Sequence, residues 1–140
     1  MQQQALEENL DNIVFAGRQD KHLIPGFLSI TDACLVHLRR TELFKTVLPS
    51  KIFESAAMAK PIILGVEGFA AEFVTQANAG TCIEPENAEQ LAQSVENLAD
   101  DPDLCQSLGQ AGRKYVLKYH NRDSLANEYL NTINRFGDQK

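Results

Sequence analysis

Ser50, Lys51 and Glu54 stand in the run VLPSKIFESAAMAKPIILG (residues 47–65), whose order predicts a loop, a helix and a buried strand in succession. A helix that starts beyond Pro49 presents free first-turn amides and the positive end of its dipole to the loop, and Lys51 adds a full charge beside them. Ser50 is the expected N-cap, accepting a hydrogen bond from the second or third amide beyond it, with Pro49 stiffening the approach. A diphosphate suits such a site. At 100° per residue, Ser50, Glu54 and Lys51 fall at about 0°, 40° and 100° on one arc, while Ile52, Phe53, Ala56 and Ala59 turn mainly toward a sheet. Glu54 then lies one turn behind the anion site, where a carboxylate accepts hydrogen bonds from a vicinal diol such as a ribose. The same residues also fit an ordinary capped helix with a solvated first turn, and local physics leaves both readings open.

Other side chains join this stretch or fall away from it. Arg39, Arg40, Lys45 and Lys51 crowd into thirteen residues opposed only by Glu42, which favours a small anion there. At Glu67-Gly68-Phe69 a second turn leads into a helix with Glu72 one turn in, and Gly65 and Gly68 allow close backbone approach of a ligand. His37 lies near a strand end, within reach of a ligand, although a histidine in a strand is more often structural. His22 and His120 have no partners at metal-ligand spacing and read as surface residues, so no metal is expected. Cys34 and Cys82 read as small core hydrophobes.

The elements that position these residues follow from apolar periodicity. MQQQALEENLDN reads as the end of a helix, and NIVFAG (12–17) as a short buried strand. HLIPGFLSITDA carries apolar residues at near-helical spacing, with Pro25 acceptable in a first turn. CLVHLR (34–39) reads as a strand covered on both faces, and a loop runs from Arg40 to Pro49. A helix over 50–60, a strand over 61–66 (PIILGV), a helix over 68–78 capped around Asn78-Ala79-Gly80, and a fourth strand, TCIEPE, come next. From Asn87 onward the pattern is helical, with breaks at Pro102 and Asn121. Strands alternating with helices predict an α/β fold, a Rossmann-like parallel sheet with helices on both faces. Such sheets take ligands beyond the carboxyl ends of their strands, which puts His37 to Lys51 on the functional rim.

At 140 residues the chain fits a single domain able to bury about 70% of its unfolded surface. The net charge of -6 argues against nucleic acid or anionic lipid as general partners. Residues 1–66 carry seven basic and seven acidic side chains, so the whole excess of acid lies in the second half. Three cysteines without a C-x-x-C pair argue against a disulfide framework or zinc knuckle and fit a reducing cytosol. No apolar run reaches the length of a membrane span, and no secretory signal is evident.

The stretch LFKTVLPSKIFESAAMAKPIILGVEGFAAEFVTQANAGTCIEPENAEQLAQSVENL resembles the donor-binding half of retaining GT-B glycosyltransferases, the glycogen-synthase-like group 1 family with its capsule, O-antigen and colanic-acid branch. Pro49, Lys51, Glu54, Ala57, Lys60, Pro61, Glu72, Gly80, Pro85 and Asn87 match the family theme, and the similarity runs from about Asn12 to the C-terminus. The resemblance implies transfer of a sugar, with retention and without a metal, from a nucleotide-sugar, expected to be a UDP-sugar, to a polysaccharide or lipid-linked acceptor. The nucleotide-sugar is a substrate, and no cofactor is implied. Its diphosphate would lie at Thr46, Val47, Leu48, Ser50 and Lys51, its ribose on Glu54, and its sugar or phosphates near Gly68 and Glu72. Thr46 stands where many relatives carry the first of two Glu residues, so no catalytic residue is assigned.

In the family strand order 3-2-1-4-5-6, the strand at 12–17 would be the third and that at 34–39 the fourth. The two strands between them, and a glycine-rich turn whose Arg and Lys grip the diphosphate, have no counterpart before Asn12. The chain is therefore expected to be the C-terminal half of a GT-B fold without its first strands and to rely on an N-terminal acceptor domain for turnover. Either its strands repack or they pair between copies as a homo-oligomer. A cytoplasmic location follows, with the other domain giving a peripheral contact at the inner membrane. The alternative is a catalytically inactive nucleotide-binding or interaction module derived from such an enzyme. A receiver-like signalling domain is disfavoured, because the strand ends are basic or neutral rather than acidic.

Overall fold

The computed structural model describes residues 1–137. Its helices are α1 (Gln2–Glu7), α2 (Ile24–Ile30, entered by a single 3-10 turn at Lys21–Leu23), α3 (Glu42–Lys45), α4 (Ser50–Ala57), α5 (Phe69–Ala77), α6 (Ala88–Asp100), α7 (Pro102–Tyr119) and α8 (Arg122–Gly137). Its strands are β1 (Cys34–His37), β2 (Ile62–Gly65) and β3 (Gly80–Cys82). All pairings are parallel, in the order β1-β2-β3, with Cys34 opposite Ile62 and Ile62 opposite Gly80. This is an α/β fold with helices on both faces of a parallel sheet, as the alternation of elements predicts.

Pairing on both edges and burial on both faces make β2 the centre. Ile62 and Leu64 are completely buried among Val36, Ile52 and Ala56, Val74 of α5 and Val116 of α7. Ile63 points the other way, into a smaller cluster with Ile83, Leu98 of α6 and Leu108 of α7. Each such side chain contributes about 1.5–3 kcal/mol of burial. Helix ends are set locally: Asn87 caps α6 by accepting from Gln90 N at 3.0 Å, Asp101 caps α7 through Leu104 N at 2.8 Å, and Asn121 Oδ1 accepts from Asp123 N and Ser124 N before α8. The expected breaks at Pro102 and Asn121 are where the chain stops and restarts a helix.

Several expectations change. Residues 12–17 form no strand; Ile13, Val14 and Phe15 are exposed, and nothing among the described residues pairs with them or with the outer edge of β1. Their composition suits a strand, but composition supplies no ladder partner, and backbone groups without one stay hydrated. The strands do not repack around this gap, and β1, β2 and β3 keep the consecutive order of the last three strands in the family scheme. The loop at 40–49 contains α3, started by Thr41, whose Oγ1 accepts from Phe44 N at 3.3 Å. The fourth expected strand is reduced to Gly80–Cys82 because Pro85 has no amide to donate and Glu86 turns at φ 66°.

Residue 80 illustrates why the sheet closes. The left-handed C-cap of α5 is Asn78 (φ 46°, ψ 44°), whereas a Cβ added at Gly80 would lie 1.8 Å from the carbonyl oxygen of Ile62. Gly80→Ala is therefore expected to cost about 3 kcal/mol. Gly26 lies inside α2 with nothing within 4 Å of an added Cβ, so Gly26→Ala should be neutral or stabilise by about 0.5–1 kcal/mol. Urea denaturation of both variants checks the pair; equal midpoints would show that strand contact at Gly80 does not limit stability.

Candidate functional site

The turns that leave the carboxyl ends of the strands meet on one rim. After β1 the chain runs through Leu38 to Thr41, α3 and the segment 46–49 into α4; after β2 it turns at Val66 to Gly68 into α5. Gly68 joins these two paths. It adopts φ 73° and ψ −137°, a conformation open mainly to glycine, and an added Cβ would meet the Lys45 carbonyl oxygen at 2.1 Å. The end of α3 thus rests on the β2–α5 turn.

Helix α4 begins one residue earlier than its sequence suggests. Ser50 is its first helical residue and Pro49 (φ −62°, ψ 132°) is the N-cap, with Ile52 N donating to Pro49 O at 3.1 Å. The expected side-chain cap from Ser50 is not made, since a residue already inside the helix cannot bend back over its own first turn. Proline offers no side-chain acceptor, so the first amides of α4 have no side-chain cap. Ser50, Lys51 and Glu54 do share one arc, and they line a groove of about 850 Å³ along the open edge of β1, together with Gln19, Lys21 and Leu35. Nothing in the sequence signals that Gln19 and Lys21 come there; the path of residues 18–23 decides it.

The other expected residues are placed differently. Thr46, Val47, Leu48, Gly68 and Glu72 do not line that groove. Thr46 ends α3, and its hydroxyl donates to Leu43 O at 2.9 Å. Val47 N donates to Phe44 O at 3.3 Å, and Glu72 is exposed in the first turn of α5. The rim therefore has two parts: a wall on α4 and a seam between α3 and the β2–α5 turn.

That seam carries the charge. Arg40 Nη2 lies 2.8 Å from Glu67 Oε1, and Lys45 Nζ lies 3.7 Å from Glu67 Oε2 and 2.6 Å from Glu42. The hydrogen bond and charge of Glu42, with a further contribution from Glu67, hold the Lys45 ammonium above its ordinary pKa against the opposing charge of Arg40. The basic crowding of residues 39–51 signals Arg40 and Lys45, but their common partner Glu67 comes from a different turn. His37 takes a structural role: its Nε2 accepts from Glu86 N at 2.8 Å, and its ring fills the space over Gly65.

Two side chains depart from expectation. His120 is half-buried, edge-on to Phe53 and tilted against Phe73 with centroids 5.2 Å away, because the C-terminal end of α7 returns to the middle of α4 and α5. Cys82 is exposed rather than core, because β3 is an edge strand; Cys34 is half-buried. The Cys82 sulfur nevertheless faces Ala71 O and Thr75 Oγ1, each at 3.8 Å, and partial burial raises its pKa against the lowering effect of Thr75. No group of three or more His, Cys, Asp and Glu side chains with metal-holding geometry occurs among the described residues.

The family model described as glycosyl transferases group 1 matches residues 1–115. A GDP-mannose-dependent alpha-(1-6)-phosphatidylinositol monomannoside mannosyltransferase of Mycobacterium tuberculosis is 26% identical over 118 residues, covering 83% of this chain. The chain spans about a third of the length of the curated relatives it matches. Among solved structures, sucrose-phosphate synthase from Thermosynechococcus elongatus superposes with TM-score 0.77 at 20% identity, over 99% of this chain and 34% of that one. A glycosyltransferase from Rickettsia africae gives TM-score 0.77 at 24% identity, over 94% and 34%. The C-terminal domain of a glycosyl transferase group 1 family protein (LpcC) from Francisella tularensis gives TM-score 0.69 at 19% identity, over 86% and 60%. These likenesses show a common fold.

A raised thiol pKa leaves less thiolate at a given pH and so slows alkylation. Cys82 should react with iodoacetamide more slowly at pH 8 than cysteine in the unfolded chain, its rate rising through a midpoint above the usual thiol value. Thr75→Val should move that midpoint further up, as read by mass spectrometry of the labelled peptide; a downward move would refute the contact.

Proposed function

Because the chain belongs to the glycosyl transferases group 1 family, we propose that it is the donor-binding part of an enzyme that moves a sugar from a nucleotide-sugar to a polysaccharide or lipid-linked acceptor with retention. The observation that carries this reading is the wall formed by Ser50, Lys51 and Glu54, where a helix start without a side-chain cap, a cation and a carboxylate one turn behind share a groove. The diphosphate lies at Thr46 to Lys51, against the first amides of α4, and Lys51 neutralises it. Glu54 accepts hydrogen bonds from the ribose diol, and Gly68 and Glu72 face the sugar end of the donor. As the glycosidic bond breaks, negative charge grows on the leaving diphosphate; fixed amides, the helix dipole and cationic side chains stabilise it without moving. That electrostatic support serves the role often given to a metal.

The donor is proposed to be a UDP-sugar, although the mannosyltransferase relative is named for GDP-mannose. The acceptor site belongs to an N-terminal domain, which also makes a peripheral contact with the membrane from the cytoplasm; among the described residues no helix is long and apolar enough to cross one. Pairing between copies along the outer edge of β1 remains part of this reading, supported by the unpartnered edge and by Leu35, which is 51% exposed on it. The second reading, an inactive nucleotide-binding or interaction module, draws support from Thr46. Its hydroxyl is engaged with Leu43 O and bears no charge where many relatives have a carboxylate.

Titration with UDP, GDP and pyrophosphate while following backbone amide shifts tests the donor site. UDP should move the amides of Thr46 to Glu54, and Glu54→Ala should weaken UDP about tenfold while leaving pyrophosphate unchanged. Silence across Thr46 to Glu54 would remove the donor reading, and equal losses for UDP and pyrophosphate would remove the ribose role of Glu54.

A further inference from the structure

Glu67 spends its two carboxylate oxygens on two cations from another segment: Oε1 meets Arg40 Nη2 at 2.8 Å, and Oε2 faces Lys45 Nζ at 3.7 Å. We propose that Glu67 is a resident anion that occupies an Arg40–Lys45 phosphate-recognition pair, and that the diphosphate of the donor displaces it. Naming the ligand a diphosphate rests on the donor-site reading above.

Three features carry the inference. First, two oxygens of one carboxylate, each turned to a different cation, present the geometry that two oxygens of a phosphate would present, and a guanidinium donates to either anion through the same N–H groups. Second, the pairing is easily given up. The three side chains retain 59%, 30% and 39% of their exposure for Arg40, Glu67 and Lys45, and ion pairs so open to water hold weakly. A ligand bearing two or more charges outcompetes a single carboxylate for the same cations. Third, the pair adjoins the segment assigned to the diphosphate: Lys45 immediately precedes Thr46, and its carbonyl rests against the turn at Gly68.

The neighbouring carboxylates do not fill this role. Glu42 binds Lys45 at 2.6 Å from the same short helix and is 88% exposed, so it reaches one cation only. Glu86 accepts from the Arg40 backbone amide at 3.4 Å and His37 from the amide of Glu86, contacts that fix the backbone of the rim. Glu67 alone among these bridges Arg40 and Lys45, so its departure leaves Arg40 without this carboxylate and Lys45 with Glu42 alone beside it as the phosphates arrive.

Calorimetric titration with inorganic pyrophosphate at low salt tests the displacement. Glu67→Gln removes the competing charge and should tighten pyrophosphate about fivefold; Glu67→Ala should do the same, and Arg40→Gln should weaken it in either background. Unchanged or weaker binding in both Glu67 variants, or no pyrophosphate binding by any variant, would overturn the proposal. The donor reading fails on a different result. UDP shifts at Thr46 to Glu54 without tightening in the Glu67 variants leave that reading standing and the displacement wrong. Tightening without UDP shifts leaves Arg40–Lys45 an anion site and removes the nucleotide.

Discussion

The arrangement depends on β2 being satisfied in every direction. It is the strand with neighbours on both edges and helices over both faces, and its side chains alternate strictly between the two clusters. Its amides and carbonyls pair with β1 and β3, so Ile62, Ile63 and Leu64 lie where no water is needed. The glycine opposite Ile62 lets β3 approach, and Ala56 of α4 is completely buried in the cluster against the sheet. Once β2 is held, the turn that leaves it at Val66 to Gly68 is held too, and this turn is one side of the rim.

The rim is a meeting of two chain paths. One leaves β1 and passes through α3 before starting α4; the other leaves β2 and starts α5. Backbone contact between Lys45 and Gly68 brings them together, and the Arg40, Glu67 and Lys45 side chains span the join. Backbone packing and electrostatics have separate tasks here. The glycine contact sets position at a distance that admits no side chain, whereas the exposed ion pairs contribute little to stability and leave the charge available for exchange.

Much of this was legible along the chain. The order of strands and helices, the helix opening near Ser50, the breaks at Pro102 and Asn121 and the common arc of Ser50, Lys51 and Glu54 all follow from short-range patterns that recur in the structure. The failures share a cause. Residues 12–17 have the composition of a strand, but a strand is a relation between two segments, and β1 offers its outer edge without receiving them. Cys82 reads as core by residue type, but a place on an edge strand exposes it. His120 looks unpartnered until α7 returns to Phe53 and Phe73. Ser50 was displaced from cap to first helical residue by a shift of one position, the usual scale of uncertainty for a helix end.

By itself, the sequence determined what nearest neighbours decide: the periodicity of the helices, the breaks at Pro102 and Asn121, the basic character of residues 39–51 and the apolar run of β2. Only the tertiary structure decided which carboxylate meets Arg40 and Lys45, which groove receives Ser50, Lys51 and Glu54, and why Gly80 admits no side chain. Each of these is a contact between segments far apart in the chain. Such contacts are set by the space that packing leaves, and a local pattern of residue types carries no record of that space.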